Sequence, residues 1–480
     1  MLYDRVANRL ERAIVRGSLR PSERLPSVRE LARQESVSIS TVLEAYAVLE
    51  GRGLIETRPQ SGHYVRSRGA TLPEPSLARP PRSATRVSVQ ALVTDLYKAM
   101  RDPDVVPLGA AVPSPDLLPI HELAALCKSV ARASPTVAIS YDTPPGCLPL
   151  RRQIARRALE WGADFGPDEV VTTCGAMEAL YLCLRAVARP GDTIAVESPT
   201  YYGLLQLIES LDLRAVEVPA HPRTGMDLGA LETLLGQHRI RAVLAIPNFN
   251  NPLGSLMPEE AKRALVARLA RDEIPLIEDD IYGELWREDV VAERPRPAKL
   301  YDRRGLVMSC GSFSKTLAPG FRVGWVVAGR FQERVEQLKF IHTVGTSSLP
   351  QLAIAELLGN GSYQRHLRRL RRTLAAQVDR YSEAVAASFP AGTAVSRPQG
   401  GFVLWVELPG DGGALELARR ALARGICIAP GPIFSARGCY QNSIRLNCGF
   451  PLDAVIERAV RVLGRMAHEV LAVSEKPSRP

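Results

Sequence analysis

Apolar side chains at Leu2, Val6, Leu10, Ala13 and Ile14 recur at the spacing of a helix that buries one face, and Gly17 ends it. Pro26-Ser27-Val28-Arg29-Glu30 opens a second helix, with Ser27 as its cap and Glu30 three residues on, the spacing of a capping box. Ser36-Val37 makes a short turn. A third helix is predicted from about Ser38 to Glu50, with Val42, Ala45, Tyr46 and Leu49 on its inner face, stopped by Gly51 and Gly53. Two short strands follow, Leu54–Thr57 and His63–Val65, joined by Arg58-Pro59-Gln60-Ser61-Gly62. Three helices with a tight turn between the last two, then a hairpin, predict a winged helix-turn-helix over residues 1–66.

The pattern changes over 67–87, where Pro73, Pro75, Pro80 and Pro81 alternate with Ser, Thr and Arg and few large apolar residues. Such a stretch predicts an extended, semi-stiff linker. From 88 to about 475, strand-like apolar runs alternate with helical ones: Val170–Thr173, Thr193–Val196, Ala242–Ile246, Pro275–Glu278, Leu306–Ser309 and Trp325–Ala328. That alternation predicts an α/β domain with a mostly parallel sheet. No internal repeat is present. A length of 480 residues fits two or three domains.

Composition narrows this picture. Apolar residues make up 46% and charged residues 23%, as in an ordinary globular chain. No run of about 18 or more apolar residues occurs, and MLYDRVANRL has no apolar segment of the kind found in secretory signals, so a cytoplasmic location and no membrane contact are expected. The eight cysteines are scattered without a CxxC pair or a Cys/His cluster, which predicts reduced, packed thiols and no metal site. The net charge of +10 is carried almost entirely by arginine, because lysine occurs only at 98, 128, 262, 299, 315, 339 and 476. Within 1–69, twelve arginines against eight acidic residues leave +4, modest support for nucleic-acid binding.

The densest chemistry lies in Ser312-Phe313-Ser314-Lys315-Thr316-Leu317-Ala318-Pro319-Gly320-Phe321-Arg322. A lysine that forms a Schiff base must lose its proton easily and face an aldehyde, and hydroxyls with an arginine suit a phosphate dianion. A single lysine in a Gly/Ser loop more often lies on a surface, so other segments must decide. Val171–Glu178 runs from a strand into a helix with Gly175 at the junction, where free amides can cradle phosphate. Asn250-Asn251-Pro252-Leu253-Gly254 follows another strand. Ile277-Glu278-Asp279-Asp280-Ile281-Tyr282 places Asp279 and Tyr282 at the end of a third. A buried acid there needs a partner, and a protonated pyridine nitrogen is one. Ser198-Pro199-Thr200-Tyr201-Tyr202-Gly203 offers a ring that stacks on a flat cofactor or simply packs.

In this order, and with Tyr141–Gly146, Leu150-Arg151, Gly400-Gly401-Phe402 and Ser443–Asn447, the segments over about 100–470 resemble the class I/II aminotransferases of the fold-type I pyridoxal-phosphate enzymes. The resemblance implies a large domain with a mostly parallel sheet, a smaller α+β domain, and pyridoxal 5'-phosphate bound by Lys315. It implies Asp279 at the pyridine nitrogen, Asn251 and Tyr282 at the ring hydroxyl, and Tyr201 stacked on the ring. It implies Gly175, Ala176, Ser312, Ser314 and Arg322 around the phosphate. Tyr141 would reach the phosphate of a partner subunit, which implies a homodimer, and Arg445 would take the carboxylate of an amino acid. Leu108-Gly109-Ala110-Ala111-Val112-Pro113 departs from the family, because Ala110 and Ala111 add methyl groups where substrate would pass.

Residues 2–66 resemble the GntR-type winged helix, through Arg24–Ala32, Val37–Val42, Gly53-Leu54-Ile55 and Gln60-Ser61-Gly62. A GntR head, a proline-rich linker and an aminotransferase-like body together resemble the MocR subfamily of bacterial regulators. That implies binding to double-stranded DNA, with Arg29, Ser38, Ser40 and Thr41 as contacts and Arg24 and Arg58 near phosphates. Relatives often carry arginine where this chain has Ile39. Either Ile39 belongs to the DNA-reading set, beside thymine methyls, or it faces the core; Ser-Ile-Ser does not decide. The function implied is a regulator whose body senses pyridoxal phosphate or an amino-acid effector. The alternatives are a working aminotransferase with a DNA-binding head, and a cofactor-free scaffold.

Overall fold

A computed structural model describes residues 2–20, 23–51, 54–58, 61–65, 72–77 and 79–474. Gly53, Pro59, Gln60 and the first linker residues, 67–71, lie outside the described residues, as does the side chain of Arg58.

The head holds helices α1 (Leu2–Val15), α2 (Val28–Glu35) and α3 (Ile39–Gly51) and the antiparallel strands β1 (Ile55–Arg58) and β2 (Gly62–Val65). Ser27 caps α2 by accepting from the Glu30 amide at 3.3 Å, and Ser36 ends it in the left-handed conformation. Val6, Leu10, Leu31, Val42, Ala45, Tyr46, Leu49, Ile55 and Val65 form one core, as the spacing predicts for α3. Leu2 is exposed instead, because it sits at the first turn of α1 beyond the reach of that core. Arg24 pairs with Tyr64, so the segment before α2 adds an edge to the hairpin.

The body has two layers of chemistry to position. Its large sheet has the order β3-β7-β6-β9-β10-β11-β12-β5, with β8 on the side of β7. These are β3 (Thr85–Arg86), β5 (Val170–Thr173), β6 (Thr193–Ser198), β7 (Arg214–His221), β8 (Gly225–Met226), β9 (Ile240–Ala245), β10 (Leu276–Asp279), β11 (Val307–Ser312) and β12 (Gly324–Val327). Strands β7, β6, β9, β10 and β11 pair in parallel. β12 is antiparallel to both β11 and β5, so β5 again points with the parallel set. The sheet is therefore mixed, with the expected parallel centre. A parallel centre covered by helices must be apolar on both faces, and Ala195, Val196, Val243, Leu244, Leu276 and Ile277 are all buried.

The short strand β4 (Val106–Pro107) pairs in parallel with β15 (Ile426–Cys427), joining the start of the body to its C-terminal part. The smaller domain is a four-stranded antiparallel sheet of β13 (Ala394–Val395), β14 (Val403–Glu407), β17 (Ser443–Asn447) and β16 (Ala429–Pro430), packed on the helices Ser362–Ser388 and Ala454–Ser474.

Residues 72–77 and 79–86 are strapped to the body. Pro73 accepts from the Val395 amide at 2.8 Å, and Leu72 from Arg397 at 3.3 Å. Glu74 binds Arg223 Nε at 2.7 Å and Arg397 Nε at 3.1 Å. The Ser76 hydroxyl reaches Glu407 at 3.0 Å. His238 meets the Arg82 carbonyl at 2.7 Å, Arg437 holds Ser83, and Thr85 pairs with Ala215. The proline-rich composition shows extension, but it does not show these partners, which lie far away in sequence.

Candidate cofactor site and DNA-reading face

The ends of the parallel strands converge on one cavity of about 190 Å³, in the place where open α/β sheets bind ligands. Lys315, Asp279, Asn251, Tyr282, Tyr201, Ala176, Ser312, Ser314 and Arg322 all line it, so the structure brings together nine of the residues that the sequence picked out. Gly175, Arg445 and Tyr141 stand apart from the lining.

Three consecutive acids end β10, and their partners differ. Glu278 accepts from the amides of Ala298 and Lys299 at 2.5 and 3.2 Å. Asp280 pairs with Arg294 at 2.5 Å and accepts from Asn248 at 2.7 Å. Asp279 faces the cavity, is 1% exposed and accepts from the Ile281 amide at 3.3 Å, with no ion-pair partner among the described residues. Burial drives its pKa up to about 7. A buried carboxylate left without a cation is a place for a protonated ring nitrogen.

Lys315 follows β11 and points its Nζ to the Ala111 carbonyl at 2.6 Å. Burial, with Arg445 and Arg322 nearby, lowers its pKa to about 8, so the neutral, nucleophilic amine is accessible near physiological pH. Asn251 Nδ2 lies 3.5 Å from the Tyr282 hydroxyl. The Tyr201 ring fits over the backbone of Gly203, where an added Cβ would come within 2.4 Å of it.

One end of the site gathers hydrogen-bond donors. Gly175 (φ 79, ψ 175) starts the helix Ala176–Val187, whose first amides have no intrahelical acceptor. Glu178 reaches back to the Cys174 amide at 2.6 Å, and Lys339 and Thr343 hold that carboxylate at 3.0 and 2.7 Å. This buried pair fixes the helix start. Ser312 and Ser314 hydroxyls are 2.9 Å apart, and Arg322 Nη1 donates to Ser314 at 3.2 Å. Arg322 adopts φ +53, a strained conformation for a residue with a Cβ and a common mark of functional positions.

Arg445, on β17, is fully buried. Nη1 donates to Asn251 at 3.0 Å, Nη2 donates to the Gly109 carbonyl, and Nε has no partner. No acid pairs with it among the described residues. Of the two alanines in the 108–113 segment, Ala111 lines the cavity and Ala110 does not, which corrects the expectation that both methyl groups narrow the passage. Tyr97, Met100, Met177 and Leu180 complete the apolar wall. The sequence hid these, because apolar residues on helices read as ordinary core. Tyr141 is 86% exposed and sits next to exposed Ile139 and Val137. The cysteines are free thiols, and the described residues hold no helix long and apolar enough to cross a membrane.

In the head, Arg24, Arg29, Ser38, Ile39 and Ser40 are exposed and Thr41 is half-buried. Ser38 Oγ accepts from the Thr41 amide at 3.1 Å and lies 2.8 Å from both Ser40 Oγ and Thr41 Oγ1, so these hydroxyls knit the start of α3. Ile39 is 51% exposed, which decides its direction: it faces away from the core.

The "Aminotransferase class I and II" family model matches residues 103–463, and that of "Bacterial regulatory proteins, gntR family" matches 2–65. The chain is a GntR-type regulator fused to a class I/II aminotransferase domain, the plan of the MocR subfamily. The chain is 39% identical to YdcR of Escherichia coli, an uncharacterized HTH-type transcriptional regulator, over 98% of this chain and 99% of that protein. It is 37% identical to YjiR of the same organism, described in the same words, with the same coverage. The MocR-type body resembles the crystal structure of LysN, the alpha-aminoadipate aminotransferase of Thermus thermophilus complexed with N-(5'-phosphopyridoxyl)-L-leucine. The TM-score is 0.73 at 32% identity, covering 81% of this chain and 97% of that one. The cofactor of such a body is pyridoxal 5'-phosphate, and the unpaired Asp279, the low-pKa Lys315 and the donor cluster at Arg322 fit it.

Proposed function

We propose that this chain is a cytoplasmic, homodimeric regulator that binds double-stranded DNA through its head and adjusts that binding when its body takes up pyridoxal phosphate and an amino acid. The observation that carries this reading is one cavity with a buried carboxylate and a lysine of lowered pKa, near a buried arginine, neither the carboxylate nor the arginine having an ion-pair partner among the described residues, in the same chain as a winged helix.

Lys315 would hold the cofactor, with Asp279 as the partner of its ring nitrogen and Asn251 and Tyr282 as the partners of its ring hydroxyl. Tyr201 lies against the ring. The Gly175–Ala176 backbone, Ser312, Ser314 and Arg322 would hold the phosphate, and Tyr141 of a second copy would complete that set, in keeping with its exposure. The cofactor supplies an electron-withdrawing ring and an aldehyde that amino groups exchange onto. Arg445, desolvated and without an acid, binds the effector's carboxylate. On the DNA side, Arg29, Ser38, Ser40 and Thr41 make the contacts as the start of α3 enters the major groove, and Arg24 and Arg58 serve the phosphates.

The strap supports a route between the two functions. Glu74 ties Arg223 of the large sheet to Arg397 of the smaller domain, so a shift of one domain against the other pulls on the chain that leads to the head. A ligand moves such an equilibrium only by its unequal affinity for the two states. The test is footprinting of the DNA upstream of the gene with cofactor and candidate amino acids added or withheld. Identical contacts and affinity under all conditions would refute the sensing role. Steady amino transfer to 2-oxoglutarate, lost on Lys315→Ala, would favour the enzyme reading instead.

A further inference from the structure

Helix α3 carries no basic side chain: its sequence is Ile-Ser-Thr-Val-Leu-Glu-Ala-Tyr-Ala-Val-Leu-Glu-Gly. Val42, Ala45, Tyr46 and Leu49 fill the core of the head. A flank of the helix beside that core face presents Ile39 at 51% and Leu43 at 50% exposure, four residues apart and so side by side on the helix surface. The hydroxyls of Ser40 and Thr41 each lie 2.8 Å from that of Ser38, and Ile39 and Leu43 are the large apolar side chains that project from the first turns, with the exposed acid Glu44 beside them. The exposed cations nearby in sequence belong to other segments: Arg24 precedes α2, and Arg29 and Arg33 lie on α2.

The commonest specific base contact, arginine to guanine, is therefore not available from α3. The one apolar group that base edges offer in the major groove is the thymine C5-methyl. Arginines at the backbone, such as Arg24, supply phosphate affinity without sequence information.

We infer that Ile39 and Leu43 are specificity residues that read two thymine C5-methyl groups on nearby base pairs. This rests on the reading of the head as a DNA binder. Four residues of helix rise about 6 Å, against about 3.4 Å per base pair, so the two methyl groups lie within about two base pairs of each other. Neither side chain belongs to the core, so both tolerate truncation.

The test uses the full chain loaded with cofactor. Duplexes enriched from a random pool are rebuilt with deoxyuridine at single thymine positions, which removes only the methyl group, and affinities are measured by fluorescence anisotropy. Each of two positions is expected to lose about fourfold, the transfer value of one buried methyl group, and the two together about fifteenfold. Ile39→Ala abolishes the discrimination at one position and Leu43→Ala at the other, while Ile39→Val keeps it. The salt dependence of binding stays unchanged in all three, because no charge is altered. Affinity indifferent to deoxyuridine at every position, or alanine variants that discriminate like the parent, overturns the inference while leaving the head a DNA binder. Failure to enrich any duplex overturns the reading of the head itself, and this inference with it.

Discussion

Gly175→Ala offers the sharpest separation of the cofactor site from the rest of the fold. Gly175 has φ 79 and ψ 175, a region occupied almost only by glycine, so alanine costs roughly 1–3 kcal/mol of folding stability. The added Cβ would also lie 2.3 Å from Arg322 Nη2, and the guanidinium must leave its place beside Ser314. Losing one charge-assisted hydrogen bond to the cofactor phosphate is worth about 1.5–3 kcal/mol, or about 10- to 150-fold in affinity. Gly320→Ala, five residues from Lys315, is the control: nothing lies within 4 Å of its added Cβ, and its φ is not positive, so both quantities should stay near those of the parent. Titration of the coenzyme by visible absorbance gives the affinity, and thermal melting of the cofactor-free protein gives the stability. A folded Gly175→Ala protein that binds the coenzyme as tightly as its parent would refute the assignment of this cradle to phosphate.

Three further outcomes follow from the same geometry. Asp279 has its folded pKa raised to about 7, above an unfolded value of about 3.9, so the folded state alone holds the proton in between and stability falls as pH rises through that window. Asp279→Asn should remove up to about 4 kcal/mol of that loss in the cofactor-free protein, measured as melting temperature from pH 4.5 to 7.5; parallel curves for the two proteins would count against it. Lys315 attacks as a neutral amine, so the rate of coenzyme capture should rise with pH around a midpoint near 8, and a midpoint near 10 would contradict the lowered pKa. Glu74→Gln breaks two part-exposed ion pairs worth about 0.2–1 kcal/mol each, so it should leave coenzyme affinity intact, expose the strap to proteolysis and weaken the response of DNA affinity to ligand; an unchanged response would rule out the strap as the route.

Local pattern made much of this legible. The helical spacing of Val42, Ala45, Tyr46 and Leu49 is the core face of α3, and Ser27 caps α2 where the capping pattern places it. Polar residues at strand ends, from Asn251 to Arg322, line a single cavity because the sheet brings those ends together. What stayed hidden was long-range. Only the fold shows that Asp279 alone in Glu278-Asp279-Asp280 lines the cavity, that Glu178 and Lys339 lock the start of the helix Ala176–Val187, or that Glu74 finds Arg223 and Arg397. Ser-Ile-Ser could not orient Ile39, because a three-residue pattern has no period; its exposure settled the matter. The apolar runs do not mark the long strand Arg214–His221, and β12 is not recognisable as antiparallel, because hydrophobic alternation carries no strand direction.

A regulator of this kind requires that occupancy of the cofactor cavity set how the head grips DNA. The direct measurement is the dissociation constant of the full-length protein for its enriched duplex, taken at fixed salt in the cofactor-free state, with coenzyme, and with coenzyme plus amino acids, for the parent and for Lys315→Ala. The account predicts a shift of at least fivefold on loading the parent, the low end of ordinary coupling between sites, and none in the variant. Equal dissociation constants across all states of the parent would contradict it.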